Sequence, residues 1–330
     1  MSVVQPGVGP IVVPSPLQLP ELMLVEQKLA DILGKAEGII KDTCAGLLYA
    51  GGKRVRPLLT VCSGLCFGPL NMNMVFAAVA AELVHMASLV HDDVIDASQT
   101  RRGTATVNSR HGNSAAVLTG DYIFAEAFNI LSSHRLITAM GYLVEAIKAM
   151  CDGEVNQAGE LFALSVNPDK YFARIAKKTG ILLAACCKSG AETGGGSEGE
   201  IEAMGEYGLN LGYAFQIVDD ILDFTGTQEK LGKPVGLDVT NGNITLPVIL
   251  LMDNPVYGNW VKEILSTRQI NVTGVESIRQ ALQQAGSIEQ SYAAAAKCVE
   301  KAKASLERIP AGRNKIMLLE LADKVLQRQA

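Results

Sequence analysis

The chain has 330 residues, a formal net charge of −5, 48% hydrophobic residues and only 5% aromatic ones. Such a length can bury a sizeable core, the aliphatic, Ala-rich balance favours packed helices over sheets, and the negative charge excludes a broad nucleic-acid-binding surface. The seven cysteines fall mostly in apolar runs without CxxC or Cys/His zinc spacing, which implies reduced thiols and a cytoplasmic location.

Residues 1–20 mix apolar residues with Pro and Gly and have no basic n-region, so they read as a flexible arm rather than a signal peptide. Residues 21–330 read as a single all-helical domain with no Ser/Pro/Gly linker. No run of 18 or more apolar residues is present, so no bilayer span is expected. A first helix is predicted to start near Pro20-Glu21 and stop at Gly51-Gly52. Lys53-Arg54-Val55-Arg56-Pro57 follows, three cations ahead of a new helix with Pro57 in its first turn. This is an anion-binding corner or, with equal weight, a solvated basic turn.

One long helix is predicted from Asn71 to Asp96, nearly apolar on all sides from Val75 to Val90 and therefore buried. It ends in Asp92-Asp93-Val94-Ile95-Asp96, with acids at i, i+1 and i+4, so that the first and last share a face one turn apart. His85 and His91 interrupt the run. A buried histidine is more often a satisfied core residue, but His85 lies two turns before Asp92 on nearly the same face. The turn Gln99-Thr100-Arg101-Arg102-Gly103 then places cations beside the acids. A salt-bridged cap is the plain alternative to a site that embraces a metal-bound phosphate ester, yet it leaves a second acidic motif without such a neighbour.

Helices continue over Asp121–Ser132 and Leu136–Gly159, the latter containing Gly153-Glu154-Val155-Asn156-Gln157. The start signal Asn167-Pro168-Asp169 opens a helix that carries Lys177-Lys178-Thr179 into Ile181–Lys188. After Gly194-Gly195-Gly196, a helix from Glu198 to Phe224 presents Gln216 and the second motif, Asp219-Asp220-Ile221-Leu222-Asp223. The Gly-rich stretch Gly226–Asn243, with Lys233, reads as a mobile lid. From Ile244 onward the helices break at Pro255, Gly286 and Pro310-Gly312, and nothing there suggests chemistry. No window alternates cleanly enough for a sheet.

Six carboxylates with no base inside either motif repel one another, and divalent cations would remove that repulsion. Hard oxygen ligands without clustered His or Cys fit Mg²⁺, completed by substrate phosphates. Two such clusters could grip one diphosphate and stabilise its departure without a protein nucleophile. No Ser/His/Asp or Cys/His arrangement and no GxxxxGK[ST] loop is present. The apolar helix before Asp92 supplies a greasy wall, and Ser88, Ala87 and Val84 along it are small or medium-sized, leaving room for a prenyl tunnel.

With both aspartate-rich motifs in place, the chain resembles a trans-isoprenyl diphosphate synthase, and specifically a long-chain polyprenyl diphosphate synthase, from about Gly51 to Pro247. The resemblance implies an all-α isoprenoid synthase fold around a central cavity. It also implies a Mg²⁺-dependent prenyltransferase that ionises an allylic prenyl diphosphate, adds the cation to isopentenyl diphosphate and eliminates a proton. Carried over by position, Lys53, Arg56, His85 and Arg102 resemble the isopentenyl diphosphate site, and Arg101, Lys178, Thr179, Gln216 and Lys233 the allylic site. Asp92, Asp96 and Asp219 would bind metal most directly, with Asp93, Asp220 and Asp223 in support. Small residues at Val84, Ala87 and Ser88, in place of the aromatic of short-chain enzymes, imply a product of about C30 or longer.

Two other classes are weighed. A class I terpene cyclase shares the first motif but has little need for the isopentenyl diphosphate residues and usually carries an Asn/Ser/Glu motif in place of the second. A non-catalytic subunit would be expected to lack one acidic motif. A homodimer is the family-like expectation, with a catalytic chain that needs a small regulatory partner as the alternative. The water-insoluble product gives a further expectation of transient contact with a membrane surface.

Overall fold

The computed structural model describes residues 20–49, 53–101, 103–227 and 234–328; the N-terminal arm, Arg102 and Lys233 lie outside the described residues. The expected first helix is two, α1 (Pro20–Leu33) and α2 (Gly38–Tyr49). The chain turns between Gly34 and Gly38, and Gly38 has φ 54°, a left-handed conformation that a helix does not propagate.

After α3 (Val55–Gly64) comes the central helix α4 (Met72–Ile95). Its start is fixed by Asn71, whose side-chain oxygen accepts from the Met74 N–H at 3.0 Å. By length and composition α4 could cross a membrane, which a strict search for uninterrupted apolar residues does not register because Glu82 and His85 lie within it. Its sides are instead covered by α1, α3, α6 (Asn113–Ser133) and α9 (Ile181–Gly194). Residues Val75 to Val84 are all buried or nearly so, as an all-round apolar helix requires.

The basic turn after α4 is a two-strand ribbon, Thr100–Arg101 against Thr104–Ala105, too short to show as alternation in the sequence. The short α5 (Val107–His111) leads into α6, which starts at Asn113, earlier than expected, and α7 follows (Ile137–Gly159). Asn167 caps α8 (Pro168–Ile175) by accepting from the Lys170 N–H at 2.9 Å. Between α8 and α9 the helix widens to a π turn over Ala176–Gly180, the kind of local distortion that recurs at functional sites.

The second long helix, α10 (Glu198–Thr225), begins where the Glu200 carboxylate accepts from the Ser197 N–H at 2.8 Å. A Cβ on Gly212 would lie 2.6 Å from the Gly180 Cα, so the pair of glycines lets α10 and the π turn touch backbone to backbone. The remaining helices are α11 (Leu237–Thr240), α12 (Leu246–Met252), α13 (Gly258–Ser266), α14 (Val272–Gln284), α15 (Ser287–Ser305) and α16 (Arg313–Leu326). The buried Tyr207 hydroxyl of α10 donates to the Leu318 carbonyl at 2.7 Å, tying α16 along α10 and bringing the end of the chain back to the middle of the fold.

Candidate active site

Asp92, Asp93 and Asp96 stand at the C-terminal end of α4, where the helix dipole already concentrates negative charge. The three are not equivalent: Asp92 is half-buried, Asp93 buried and Asp96 exposed. Burial and then the Glu154 carboxylate push the Asp92 carboxyl up to about 6, against the opposing charges of Lys178 and Arg101. Asp93 instead accepts from the Arg101 Nε at 2.8 Å, and its carbonyl takes the Ser98 N–H and the Asn108 side-chain amide. It therefore holds the ribbon onto α4 and carries Arg101 beside the acids.

The π turn joins the two motifs. Lys178 Nζ lies 3.0 Å from Glu154 of α7. Burial alone would lower the Lys178 ammonium, but Glu154, Asp92 and Asp96 outweigh it and hold it above the usual lysine range. The next residue, Thr179, donates to the Gln216 Oε1 at 2.8 Å, and Gln216 Nε2 donates to the Asp220 Oδ1 at 2.9 Å. The other oxygen of Asp220 accepts from the buried Tyr171 hydroxyl at 2.6 Å. Desolvation, then the charge of Asp238, pushes the Asp220 carboxyl up to about 7, with the Tyr171 and Gln216 hydrogen bonds pulling the other way.

The rest of the second motif divides in the same manner. Asp223 is 1% exposed and accepts from the Asp238 N–H at 3.3 Å, while its carbonyl takes the Gly236 N–H, so it pins the stretch after α10. Asp219 forms an ion pair with Arg328 at 2.6 Å, and the Arg328 guanidinium lies 4.2 Å from the Phe215 ring centre, one turn earlier on α10. This corrects two expectations: the second motif does have a basic neighbour, and the C-terminal segment does reach the site. Sequence distance hid the pair, since only the docking of α16 on α10 brings Arg328 back.

Of the three cations at residues 53–56, Arg54 is engaged with Glu26 and Glu82. Lys53 is exposed, while Arg56 and His85 are half-buried. His91 has the plain structural role, with its Nε2 3.1 Å from the Val117 carbonyl of α6. Val84 and Ala87 are fully buried and Ser88 half-buried, its hydroxyl donating to the His85 carbonyl. Glu154, Tyr171, Asp238 and Arg328 carry no pattern that marks them in the sequence. The nearest signal is that Tyr171 lies two turns before Lys178.

The carboxylate oxygens of both motifs fit a hard divalent cation, and the Asp92 carboxyl, raised first by burial and then by Glu154, is one whose charged form such an ion would favour. Among the described residues no three acidic, His or Cys side chains already converge on one ion. The remaining ligands would be water and substrate oxygens.

The polyprenyl synthetase family model matches residues 37–284. A heptaprenyl diphosphate synthase component 2 from Bacillus subtilis is 36% identical over 310 residues, covering 94% of this chain and 88% of that protein. A geranylgeranyl diphosphate synthase from Methanosarcina mazei is 33% identical over 86% of this chain and 88% of its own. Among solved structures, a polyprenyl synthase from Caulobacter crescentus in complex with calcium and isoprenyl diphosphate superposes with a TM-score of 0.89 at 33% identity, covering 100% of both chains. A heptaprenyl diphosphate synthase from Staphylococcus aureus gives 0.88 at 34% identity over 94% of this chain and 98% of that one. The chain belongs to the polyprenyl synthetase family and is a prenyltransferase with that family's all-α fold.

Proposed function

We propose that this enzyme condenses isopentenyl diphosphate with an allylic prenyl diphosphate and repeats the step to give an all-trans polyprenyl diphosphate of about C30 or longer. One observation carries the reading: consecutive residues of the π turn serve opposite motifs, Lys178 beside Asp92 and Asp96, and Thr179 on Gln216 and through it Asp220. A diphosphate between the motifs would meet an ammonium and a hydroxyl from one rigid turn.

Asp92, Asp96 and Asp219 would hold Mg²⁺, with Asp93, Asp220 and Asp223 as supports. Bound Mg²⁺ would offset the charge that develops on the diphosphate as the allylic C–O bond breaks. Lys178, Arg101, Thr179, Gln216 and Lys233 bind and orient that leaving diphosphate, and Lys178 strengthens its hold as the C–O electron pair moves to oxygen. Lys53, Arg56, His85 and Arg102 keep the second diphosphate intact and aim the isopentenyl double bond at the allylic carbon. The terminal alkene carbon forms the new C–C bond there, which leaves a tertiary cation on the next carbon, and the proton lost from the carbon between that cation and the diphosphate-bearing carbon passes to the released diphosphate.

Product length is read from Val84, Ala87 and Ser88, which put no aromatic ring across the apolar wall. The test is incubation of the full chain with Mg²⁺, labelled isopentenyl diphosphate and farnesyl diphosphate. Products of about C30 or longer are expected; arrest at C20, as the geranylgeranyl relatives' name implies for them, defeats the long-chain reading, and a hydrocarbon product indicates a cyclase.

A homodimer is the proposed assembly, with exposed Val117 and Leu118 on α6 as available apolar surface. The Bacillus subtilis relative is named as component 2 of its synthase, which favours one second reading, a catalytic chain that turns over only with a small partner. Turnover by the purified chain alone rejects it. We place the enzyme in the cytoplasm, supported by seven cysteines of which none forms a disulfide, with transient membrane contact for product release. Absence from vesicles in a flotation assay speaks against that contact.

A further inference from the structure

Arg54 occupies the middle of the basic turn yet faces away from any anion-binding role. It is the N-cap of α3 with φ 46° and ψ 37°, left-handed geometry that is strained for a residue with a Cβ, and no side chain caps that helix end. Its guanidinium forks onto Glu26 of α1, Nε meeting one carboxylate oxygen and Nη2 the other at 3.1 Å, while Nη1 reaches Glu82 of α4 at 2.9 Å. The Arg54 side chain is only 13% exposed and that of Glu82 5%. Two carboxylates on one guanidinium leave this triad net negative, so it repels a diphosphate rather than attracting one.

The triad joins three elements at one point. Glu82 lies one turn before His85 on α4, and Arg54 lies between Lys53 and Arg56. Its pairs therefore tie the basic turn to α1 and to α4. A planar fork held by two acids fixes direction in a way that a lysine cannot, and the strained backbone persists because those pairs over-determine it.

We propose that Arg54 is a positioning residue: its ion pairs with Glu26 and Glu82 set Lys53 and Arg56 against His85 so that the isopentenyl diphosphate site is formed before the substrate arrives. This rests on the reading above of those three residues as that site.

The test compares wild type with Arg54→Ala, Arg54→Lys, Arg54→Gly and Glu26→Gln. Isopentenyl diphosphate binding is measured by calorimetry, and the KM for each substrate in steady-state turnover with the other saturating. In Arg54→Ala the KM for isopentenyl diphosphate should rise about tenfold or more while that for farnesyl diphosphate stays within about twofold, because misplacement affects one subsite. Arg54→Lys should fall between, and Arg54→Gly, which relieves the backbone but loses the fork, should match Arg54→Ala. Glu26 is 45% exposed, so Glu26→Gln leaves the fold intact and should give a smaller shift of the same selectivity.

Equal rises in both KM values, an unchanged isopentenyl KM with a lower melting temperature, or recovery in Arg54→Gly would each overturn the proposal. A wild type that binds isopentenyl diphosphate but does not turn over alone speaks against the self-sufficient homodimer and for the partner-dependent reading, while calorimetry still decides the Arg54 comparison. A wild type that does not bind it overturns both.

Discussion

Replacing Tyr171 with Phe removes a single oxygen, the one that donates to Asp220 at 2.6 Å inside the protein. Asp220 is 4% exposed and its carboxyl titrates near 7, raised mainly by desolvation, whereas an unfolded aspartate titrates at about 3.9. Because the folded value is the higher one, Asp220 lowers stability progressively as pH rises from about 4 to about 7, where the unfolded chain ionises first. Below about pH 6 the folded carboxyl is mostly protonated, and Tyr171→Phe deletes only a neutral hydrogen bond worth about 0.5–1.5 kcal/mol. At pH 8.5 the carboxylate is ionised and loses one of its two side-chain donors, a charged bond worth about 1.5–3 kcal/mol. The variant should therefore be destabilised at both pH values and more so, by about 1–2 kcal/mol, at the higher one. Urea unfolding with a chelator at pH 5.5 and 8.5 measures the difference. A destabilisation equal at both, or larger at pH 5.5, would show that the Tyr171 hydroxyl does not serve the ionised Asp220.

The Asp92 carboxyl, pushed up to about 6 by burial and then Glu154, should cost metal affinity as pH falls. Mn²⁺ binding by calorimetry should weaken about tenfold between pH 7.5 and 5, and a flat profile would remove Asp92 from the metal site. Glu154→Gln takes away the largest neighbouring charge that raises Asp92, so the acid limb of kcat/KM should move to lower pH by about half a unit or more; a shift upward would contradict the assignment. Ala87→Tyr fills a fully buried position on α4 with an aromatic ring and should shorten the main product, read by chromatography of the dephosphorylated prenols; an unchanged length rejects the tunnel wall. Arg328→Leu frees the Asp219 carboxylate from a partly exposed guanidinium and should tighten Mn²⁺ binding about threefold; unchanged binding would mean that Arg328 and the metal do not compete.

Backbone-level features were legible because they depend on local pattern. A nearly all-round apolar pattern from Val75 to Val90 pointed to the burial of α4, Asn71 and Asn167 marked two helix starts, and the i, i+1, i+4 spacing placed Asp92 and Asp96 on one face. The failures were local as well. Gly34 and Gly38 split the first helix, and a two-residue ribbon is too short to produce alternation. The difference between Asp92 and Asp93 was not legible, since adjacent acids on a helix point in different directions and only tertiary packing decides which one meets Arg101.

What no spacing rule reports is where the compensating charge comes from. Reading each motif by itself gives three acids and no base, a repulsion that calls for a metal. In the fold, Asp93 meets Arg101 from the ribbon, Asp92 faces Lys178 from the π turn, and Asp219 pairs with Arg328 from beyond α16. Each cation comes from a different element, and each interaction leaves part of the acid or of the cation accessible. A folded chain with its acids balanced in this way does not need metal to hold together, and a diphosphate entering with cations can exchange partners: metal for the carboxylates, phosphate oxygens for Lys178 and Arg101. On the proposed reading, the charges that balance the site without substrate are the ones that would bind it, so Glu154→Gln and Arg328→Leu should move metal affinity and pH dependence more than they move the fold.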